Sequence, residues 1–444
     1  MTVKHKGIDA GTVIVGGGLA GLTAAVWLAG AGHRVTVLEK AGRAGGRAAT
    51  VRKEGVSFNL GPHALYKGGE AYRTYRRLGL LPSGGTPPLC MLGLWKGAAY
   101  PMPVSVGTLL KAKLLSWTGK FELASFLSGL GRLDPSSAGG ASLREWAEGR
   151  FRDPMVRHYL YALSRTWTFR SDVSALRAET FLRQARHSVV DGVHYIDGGW
   201  QTLVDGLKEA AERAGARVLT GTAAVRIERE DGEARRVRCA DGTAFDASAV
   251  IAAVPPAAAC KLVEGGEPAA ALEAWSRQAR PVTVAALDIA LRRAPEPGRN
   301  LAVGLDTPVF FSAQSLGAKM ADDGILVATL AKYADASRMD PARDEADLEA
   351  ALDVVVPGWR GQVVRRQFLP RLTAMYETRP AGSPAPWIGP EVPGIRGLYV
   401  AGDWAGHGEE LADAAVASAA RAVQAIAESS GGSAAADRIV SIGG

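Results

Sequence analysis

The chain has 444 residues, 54 of them glycine, with 47% apolar and 22% charged side chains. This composition excludes a disordered chain, and the length gives two or three domains room for a sizeable core. The net charge of +7 is concentrated: residues 40–121 hold thirteen bases and only Glu54 and Glu70 as acids, which points to an anionic ligand or surface, or to a solvated basic face.

In chain order, the first ten residues read as a frayed terminus. Residues 10–32 are uncharged and long enough to span a bilayer, but their internal order argues against a span. A β-branched run, Thr12–Val15, meets three glycines, then a small-residue helical stretch, Leu19–Ala31, and a second β-rich run, Arg34–Leu38. That succession predicts a buried strand–helix–strand unit with parallel strands. Residues 40–75 read as basic loops and 89–190 as a long apolar helical region. A helix is expected over Trp200–Ala214, with strands at Arg217–Leu219, Ala224–Glu228 and Ala249–Val254. The mixed stretch 261–385 contains strand-like runs at Val282–Leu291 and Ile325–Leu330. The chain closes with a strand, Gly397–Ala401, an alanine-rich helix over about 410–427, and a tail from about Glu428. No internal repeat is present.

The turn of the first unit reads Gly16-x-Gly18-Leu19-Ala20-Gly21. In a glycine-rich chain this spacing carries weight only through its place between strand and helix, and through Glu39, 21 residues after Gly18 at the end of the next strand. In such a unit the glycines let backbone approach a pyrophosphate at a helix N-terminus, and the acid accepts hydrogen bonds from a ribose. Directly after Glu39 comes Lys40-Ala-Gly-Arg43-Ala-Gly45-Gly46-Arg47, whose paired glycines and arginine suit a second approach to phosphate.

This extension resembles that of the flavoproteins comprising amine oxidases, protoporphyrinogen oxidases and phytoene (carotenoid) desaturases. Three more blocks are similar, in the family's order. Phe58-Asn-Leu-Gly61-Pro62-His63 resembles the loop beside the flavin ring. Asp197-Gly-Gly-Trp200-Gln-Thr-Leu203, followed by Val225-x-Ile227, resembles the return to the nucleotide domain, where the valine meets adenine. Gly397-Leu-Tyr-Val-Ala-Gly402-Asp403-Trp404, with the helix from Leu411 and Ala412, resembles the closing block. There the Asp lies on the ribityl or phosphate side and the helix N-terminus faces the flavin. The resemblance implies an α/β fold with a Rossmann-type FAD-binding domain (1–75, 195–260 and 386–444) and an interleaved α+β substrate domain (76–194 and 261–385). It implies FAD at Gly16, Gly18, Leu19, Ala20, Gly21, Glu39, Lys40, Gly45, Gly46, Arg47, Gly61, Pro62, His63, Val225, Gly402, Asp403, Leu411 and Ala412.

What is missing narrows the chemistry. No second strand-linked GxGxxG provides a nicotinamide domain, so oxygen or a quinone is the expected electron acceptor. Only Cys90, Cys239 and Cys260 occur. Their scatter fits a reducing, cytoplasmic compartment and excludes a disulfide framework or a cysteine zinc site. No cysteine follows Cys260, so FAD is expected to be noncovalent. No metal-ligand spacing and no nucleic-acid recognition motif stands out. The implied activity is hydride removal from a small lipophilic substrate, with the flavin carrying the chemistry. Alternatives are an amine oxidase forming an imine, a redox-neutral isomerase or cyclase, and a carrier resembling the GDP-dissociation inhibitors. No protein acid or base is required; His63, Trp404 and His407 are pocket candidates, with structural hydrogen bonding or core packing as the competing reading. Residues 89–130 mix Leu, Trp and Phe with Lys96, Lys111, Lys113 and Lys120, a pattern of peripheral contact with the inner face of a membrane or of an amphipathic helix on the core.

Overall fold

The computed structural model describes residues 10–429 apart from 264–269, 294–295, 298, 323 and 335–338. The expected frayed tails therefore fall almost wholly outside the described residues. The Gly11–Val15 strand (β1), the Leu19–Gly30 helix (α1) and the Val35–Leu38 strand (β2) form the predicted unit. Among the described residues, no helix is long and apolar enough to cross a membrane.

β1 lies between β2 and the Ala244–Ala252 strand, and the parallel array is completed by Arg217–Leu219 beyond β2 and Leu398–Val400 beyond Ala252. An antiparallel extension, Glu233–Cys239 and Ala224–Glu230, continues the sheet. Because side chains alternate along a strand, both faces of β1 are occupied. Ile14, with Val35, Val37 and Ile251, packs on α1 and the helices Trp200–Arg213 and Leu411–Ser429. Val13 and Val15, with Val250 and Val400, face Ile227, Val237, Trp275 and Trp404. Burial on both sides is why this segment carries no charge.

A second seven-stranded sheet runs in the order Val363–Glu377, Arg280–Leu291, Leu326–Tyr333, Val309–Ser312, Leu301–Gly304, Met91–Trp95, Ala98–Pro101. One face packs on the Pro341–Val355 helix through Leu287, Ile289, Leu348 and Leu352. The other packs on the helices of residues 106–186 through Val284, Ala331, Phe126 and Tyr159. Sheet and helices together make the chain an α/β protein. The first sheet draws on residues 11–38, 217–252 and 398–400, and the second on 91–101 and 280–377. On that interleaving we base the proposed division into units 1–75, 195–260 and 386–444 against 76–194 and 261–385.

One expectation is corrected. Residues 91–101, read as the start of a helical region, form a hairpin at the edge of the second sheet. Its turn is Lys96-Gly97, both in the left-handed region (φ 51° and 75°), the geometry that matches the twist of paired strands.

The tightest contact of the first unit is between two of its glycines. A Cβ on Gly21 would lie 2.0 Å from the Gly16 carbonyl oxygen, whereas one on Gly30, at the exposed end of the same helix, meets nothing within 4 Å. Gly21→Ala is therefore expected to lower unfolding stability by about 1–3 kcal/mol through overpacking. Gly30→Ala should be neutral or stabilising by up to about 1 kcal/mol. Paired thermal melts of the two variants check both.

Candidate functional site

The glycine turn ends where α1 begins, with Gly18 as an N-cap that has no side-chain cap and no acid in the first turn. Its neighbour across a narrow slot is the short turn Gly46–Ala48, capped by Gly45, also without a side-chain partner. Gly45 N–H donates to the Gly17 carbonyl at 2.8 Å, and Gly18 bridges Gly45. A Cβ on Gly18 would find its nearest atom, the Gly45 oxygen, at 3.9 Å, and one on Gly46 the Gly18 Cα at 3.7 Å. At Gly18 and Gly46 backbone thus faces backbone, and the N-terminus of α1 has no side-chain cap. That is the geometry of an anion cradle.

Glu39 is buried, and its carboxylate accepts hydrogen bonds from Gly17 N–H and Ala41 N–H, each at 2.8 Å. It fixes the glycine turn to the following loop while each oxygen retains a lone pair. Lys40 beside it is exposed. Thr222 N–H donates to the Glu39 carbonyl and Gly221 N–H to that of Ala41, both at 2.8 Å. This brings exposed Val225 close in sequence to the same corner.

At the other end of the slot, Arg47 reaches across to the C-terminal block. Its two terminal nitrogens contact the two oxygens of Asp403 at 2.7 and 2.5 Å. Asp403 is buried and also accepts from Tyr376 N–H at 3.1 Å. Arg47 additionally contacts the Ala374 carbonyl at 3.2 Å, and its guanidinium lies 5.6 Å from the centre of the Tyr376 ring. One ion pair thus gathers the turn after Gly46, the Val363–Glu377 strand and the turn at Gly402.

The loop from Asn59 to His63 is tied both to the Trp200–Arg213 helix and to the second sheet. Asn59 Oδ1 accepts from Thr50 Oγ1 at 2.8 Å and Trp200 N–H at 2.9 Å. Gly61 N–H donates to Asp288 of the second sheet at 3.1 Å, and Thr329 Oγ1 donates to the same carboxyl at 2.6 Å. Burial pushes the Asp288 pKa up. Pro62 follows, and the His63 ring nitrogens lie 3.1 Å from the carbonyls of Gly61 and Arg47. Burial lowers the His63 pKa while the two carbonyl contacts oppose the shift, and its ring is edge-on to Trp200.

The other two pocket candidates occupy structural positions. Trp404 is 1% exposed within the core of the first sheet and donates Nε1–H to the Val254 carbonyl at 3.0 Å. His407 stacks on Trp387 and contacts the Ile388 carbonyl at 3.1 Å. Leu411 (φ 56°) opens the last helix, with Ala412 next.

Three charged residues that sequence reading did not single out meet beside this helix. Arg170, just past the Pro154–Thr168 helix, pairs through Nε with Glu377 at 2.8 Å and through Nη2 with Glu410 at 3.1 Å. All three are largely buried, and burial raises the Glu410 pKa although Arg170 opposes it. The signal was Glu409-Glu410 abutting the motif helix, but the guanidinium that meets Glu410 lies 240 positions away in the chain. Next to them an apolar cluster combines Tyr66, Phe169 and Tyr333, with Leu372 and Leu411 packed against it.

Asp413, one turn into the last helix, is also buried and accepts from Ala71 N–H at 2.9 Å. Burial pushes its pKa from 3.8 to about 7. A raised carboxyl pKa in the folded state stabilises the fold below the unfolded value and loses that contribution as pH rises toward the folded one. The wild type should therefore lose up to about 1.4 kcal/mol per pH unit between about pH 4 and 7 from this group. Asp413→Asn keeps an acceptor for Ala71, so its melting temperature should fall less over that range. Parallel slopes for the two proteins would contradict the assignment.

The family described as flavin containing amine oxidoreductase matches residues 19–427 of this chain. A phytoene desaturase of Cercospora nicotianae is 27% identical over 276 residues, covering 54% of this chain and 44% of that protein. An L-amino-acid oxidase of Protobothrops flavoviridis is 56% identical over 71 residues, 15% of this chain and 14% of its own length. The chain thus spans less than half the length of these relatives. Among solved structures, a cyclohexylamine oxidase from Brevibacterium oxydans superposes with a TM-score of 0.71 at 16% identity, covering 95% of this chain and all of that one. At that identity the likeness establishes the fold.

Proposed function

Because the chain belongs to the flavin-containing amine oxidoreductase family and has FAD as its cofactor, we propose that it is an FAD-dependent oxidase or desaturase of an apolar organic substrate. The observation that carries this reading is the pairing of the glycine-flanked slot with the apolar cluster, joined by the Arg47–Asp403 contact. The slot fits a pyrophosphate. Gly16, Gly18, Leu19, Ala20, Gly21, Gly45 and Gly46 would hold it, with Arg47 the nearest cation. Glu39, Lys40 and Val225 would serve the adenosine end. Gly61, Pro62, His63, Gly402, Asp403, Leu411 and Ala412 would serve the ring end. With no cysteine after Cys260, the attachment would be noncovalent.

When bound, FAD supplies the two-electron acceptor, which oxygen or a quinone reoxidises. The chain's own part is placement and exclusion of water. Tyr66, Phe169, Tyr333, Leu372 and Leu411 offer apolar surface that would favour a substrate of like character and orient its C–H bond. His63 would close the loop at the ring end, held by the Gly61 and Arg47 carbonyls. A lipophilic substrate also suits a peripheral position at the inner face of a membrane through residues 89–130, with no nucleic-acid partner.

A second reading, oxidation of an amine to an imine, draws on the two carboxylates, Glu377 and Glu410, that face the single guanidinium of Arg170. Anaerobic bleaching of the flavin separates the two. Bleaching by lipophiles or porphyrinogens supports the first reading; bleaching by amines alone replaces it with the second. Arg47→Ala removes a charge-assisted contact at the centre of the site, so FAD retention should weaken about ten- to a hundredfold. Undiminished flavin content in that variant would remove Arg47 from the cofactor site.

A further inference from the structure

We propose that the Val106–Leu110 and Trp117–Gly129 helices form a docking face for a lipid bilayer carrying anionic headgroups. Four large apolar side chains there are turned out of the protein: Val106 is 76% exposed, Leu110 56%, Trp117 75% and Phe121 77%. Ordinary surfaces show such residues singly; these are joined. Val106 and Leu110 are four apart on one helix, and Trp117 and Phe121 four apart on the next, so each pair shares a face. Lys120 ties the pairs together. Its Nζ donates to the Leu110 carbonyl at 2.7 Å and sits 4.5 Å from the centre of the Trp117 ring. The result is one apolar patch, not two accidental exposures.

The charge around the patch selects the occupant. Lys111 and Lys113, in the connection between the helices, are exposed. The acid of this stretch, Glu122, is turned inward, where its carboxylate accepts from Arg152 N–H at 2.9 Å and Asp153 N–H at 3.2 Å. Asp153 is buried in turn and caps the next helix. The face therefore presents aromatic and aliphatic groups ringed by lysine, with its carboxylates withdrawn. Aromatic side chains settle at the bilayer interface, while lysine stems lie along the apolar surface with their ammonium groups among anionic headgroups. A protein partner of ordinary surface would present neither that depth of apolar phase nor a sheet of negative charge.

The same segment borders an open cleft of about 640 Å³. Trp95, Leu114, Pro154 and Met155 line it with the polar side chains of Arg152 and His158. Leu114, Ser116 and Thr118 thus belong both to the cleft wall and to the segment that carries the patch. A face seated on lipid would bring this cleft to the headgroup layer. The inference deepens the membrane-side part of the proposed function, and its test needs no turnover.

Holoprotein is sedimented with vesicles of phosphatidylcholine alone and with vesicles also containing phosphatidylglycerol. Binding is expected to the anionic vesicles. It should be lost as salt rises from about 0.1 M to 1 M, where the screening length contracts from about 10 Å to 3 Å. W117S/F121S should weaken that binding at least about tenfold, and K111E/K113E by a similar factor. Flavin absorbance and the thermal melt should stay unchanged in both, since the altered side chains are exposed. Equal sedimentation of wild type and both double variants would overturn the proposal. So would a lipid-independent dimer that W117S/F121S dissolves, because a second copy would then cover the face. If the vesicle result holds while lipophiles fail to bleach the flavin, the substrate reading falls and the docking face stands.

Discussion

The contact between Arg47 and Asp403 joins residues 356 positions apart, and most of the site depends on it. Asp403 is nearly inaccessible (3% exposed side chain), whereas Arg47 remains 42% exposed. A buried carboxylate is costly unless it is paired and hydrogen-bonded. Here Arg47 supplies two donors and Tyr376 N–H a third. Because Tyr376 belongs to the second sheet, the carboxylate settles only when both sheets and the glycine loop are in place. Its energetic requirement thereby becomes a geometric one: the N-terminal turn, the C-terminal turn and the long strand must meet at a single point.

The same accounting explains the basic excess of residues 40–121. Much of it is engaged inside the fold. Arg43 donates to the Thr50 carbonyl, Arg47 pairs with Asp403, and Arg73 and Arg77 both reach Glu70. Lysines 111 and 113 differ from these in standing exposed beside outward-facing aromatics. A single net charge thus hides two distinct uses, one tying loops and helices together and the other facing outward. Surface pairs such as Arg73–Glu70 add little stability individually.

How much could be read in advance followed sequence separation. The strand–turn–helix unit was legible because its pattern is local: an apolar run buried on both faces, glycines where backbones touch, and Glu39 at a fixed offset. The second sheet was only half legible. Its central strands, Arg280–Leu291 and Leu326–Tyr333, are mostly apolar, interrupted by Asp288 and Lys332, and therefore visible. The edge strand Val363–Glu377 alternates with Arg365, Arg366 and Arg371, and its half-exposed pattern lacks a core signature. The Met91–Pro101 hairpin reads as helix because Leu, Met and Ala, good helix formers, make up nearly half of it, while the deciding feature is a two-residue turn. Trp404 sat in a recognised block yet faces the core. Of the Arg170–Glu377–Glu410 cluster only the acidic pair beside the motif helix was visible, since its members meet only through packing.

That cluster also bears on which substrate the site favours. Two carboxylates against one guanidinium leave a formal excess of one negative charge, which would welcome an ammonium group. Burial acts against the excess, because an unpaired charge in an apolar setting is far more costly than a shared proton. Burial raises the Glu410 pKa, and Arg170 opposes the shift. Glu377 and Glu410 are both held by Arg170, so an ammonium group taken out of water to reach them would carry a desolvation cost against carboxylates already paired. A neutral, apolar substrate would incur no such cost, and the proposed reading rests on that balance. The cluster itself locks the residues after the Pro154–Thr168 helix to the start of the last helix, whatever the substrate.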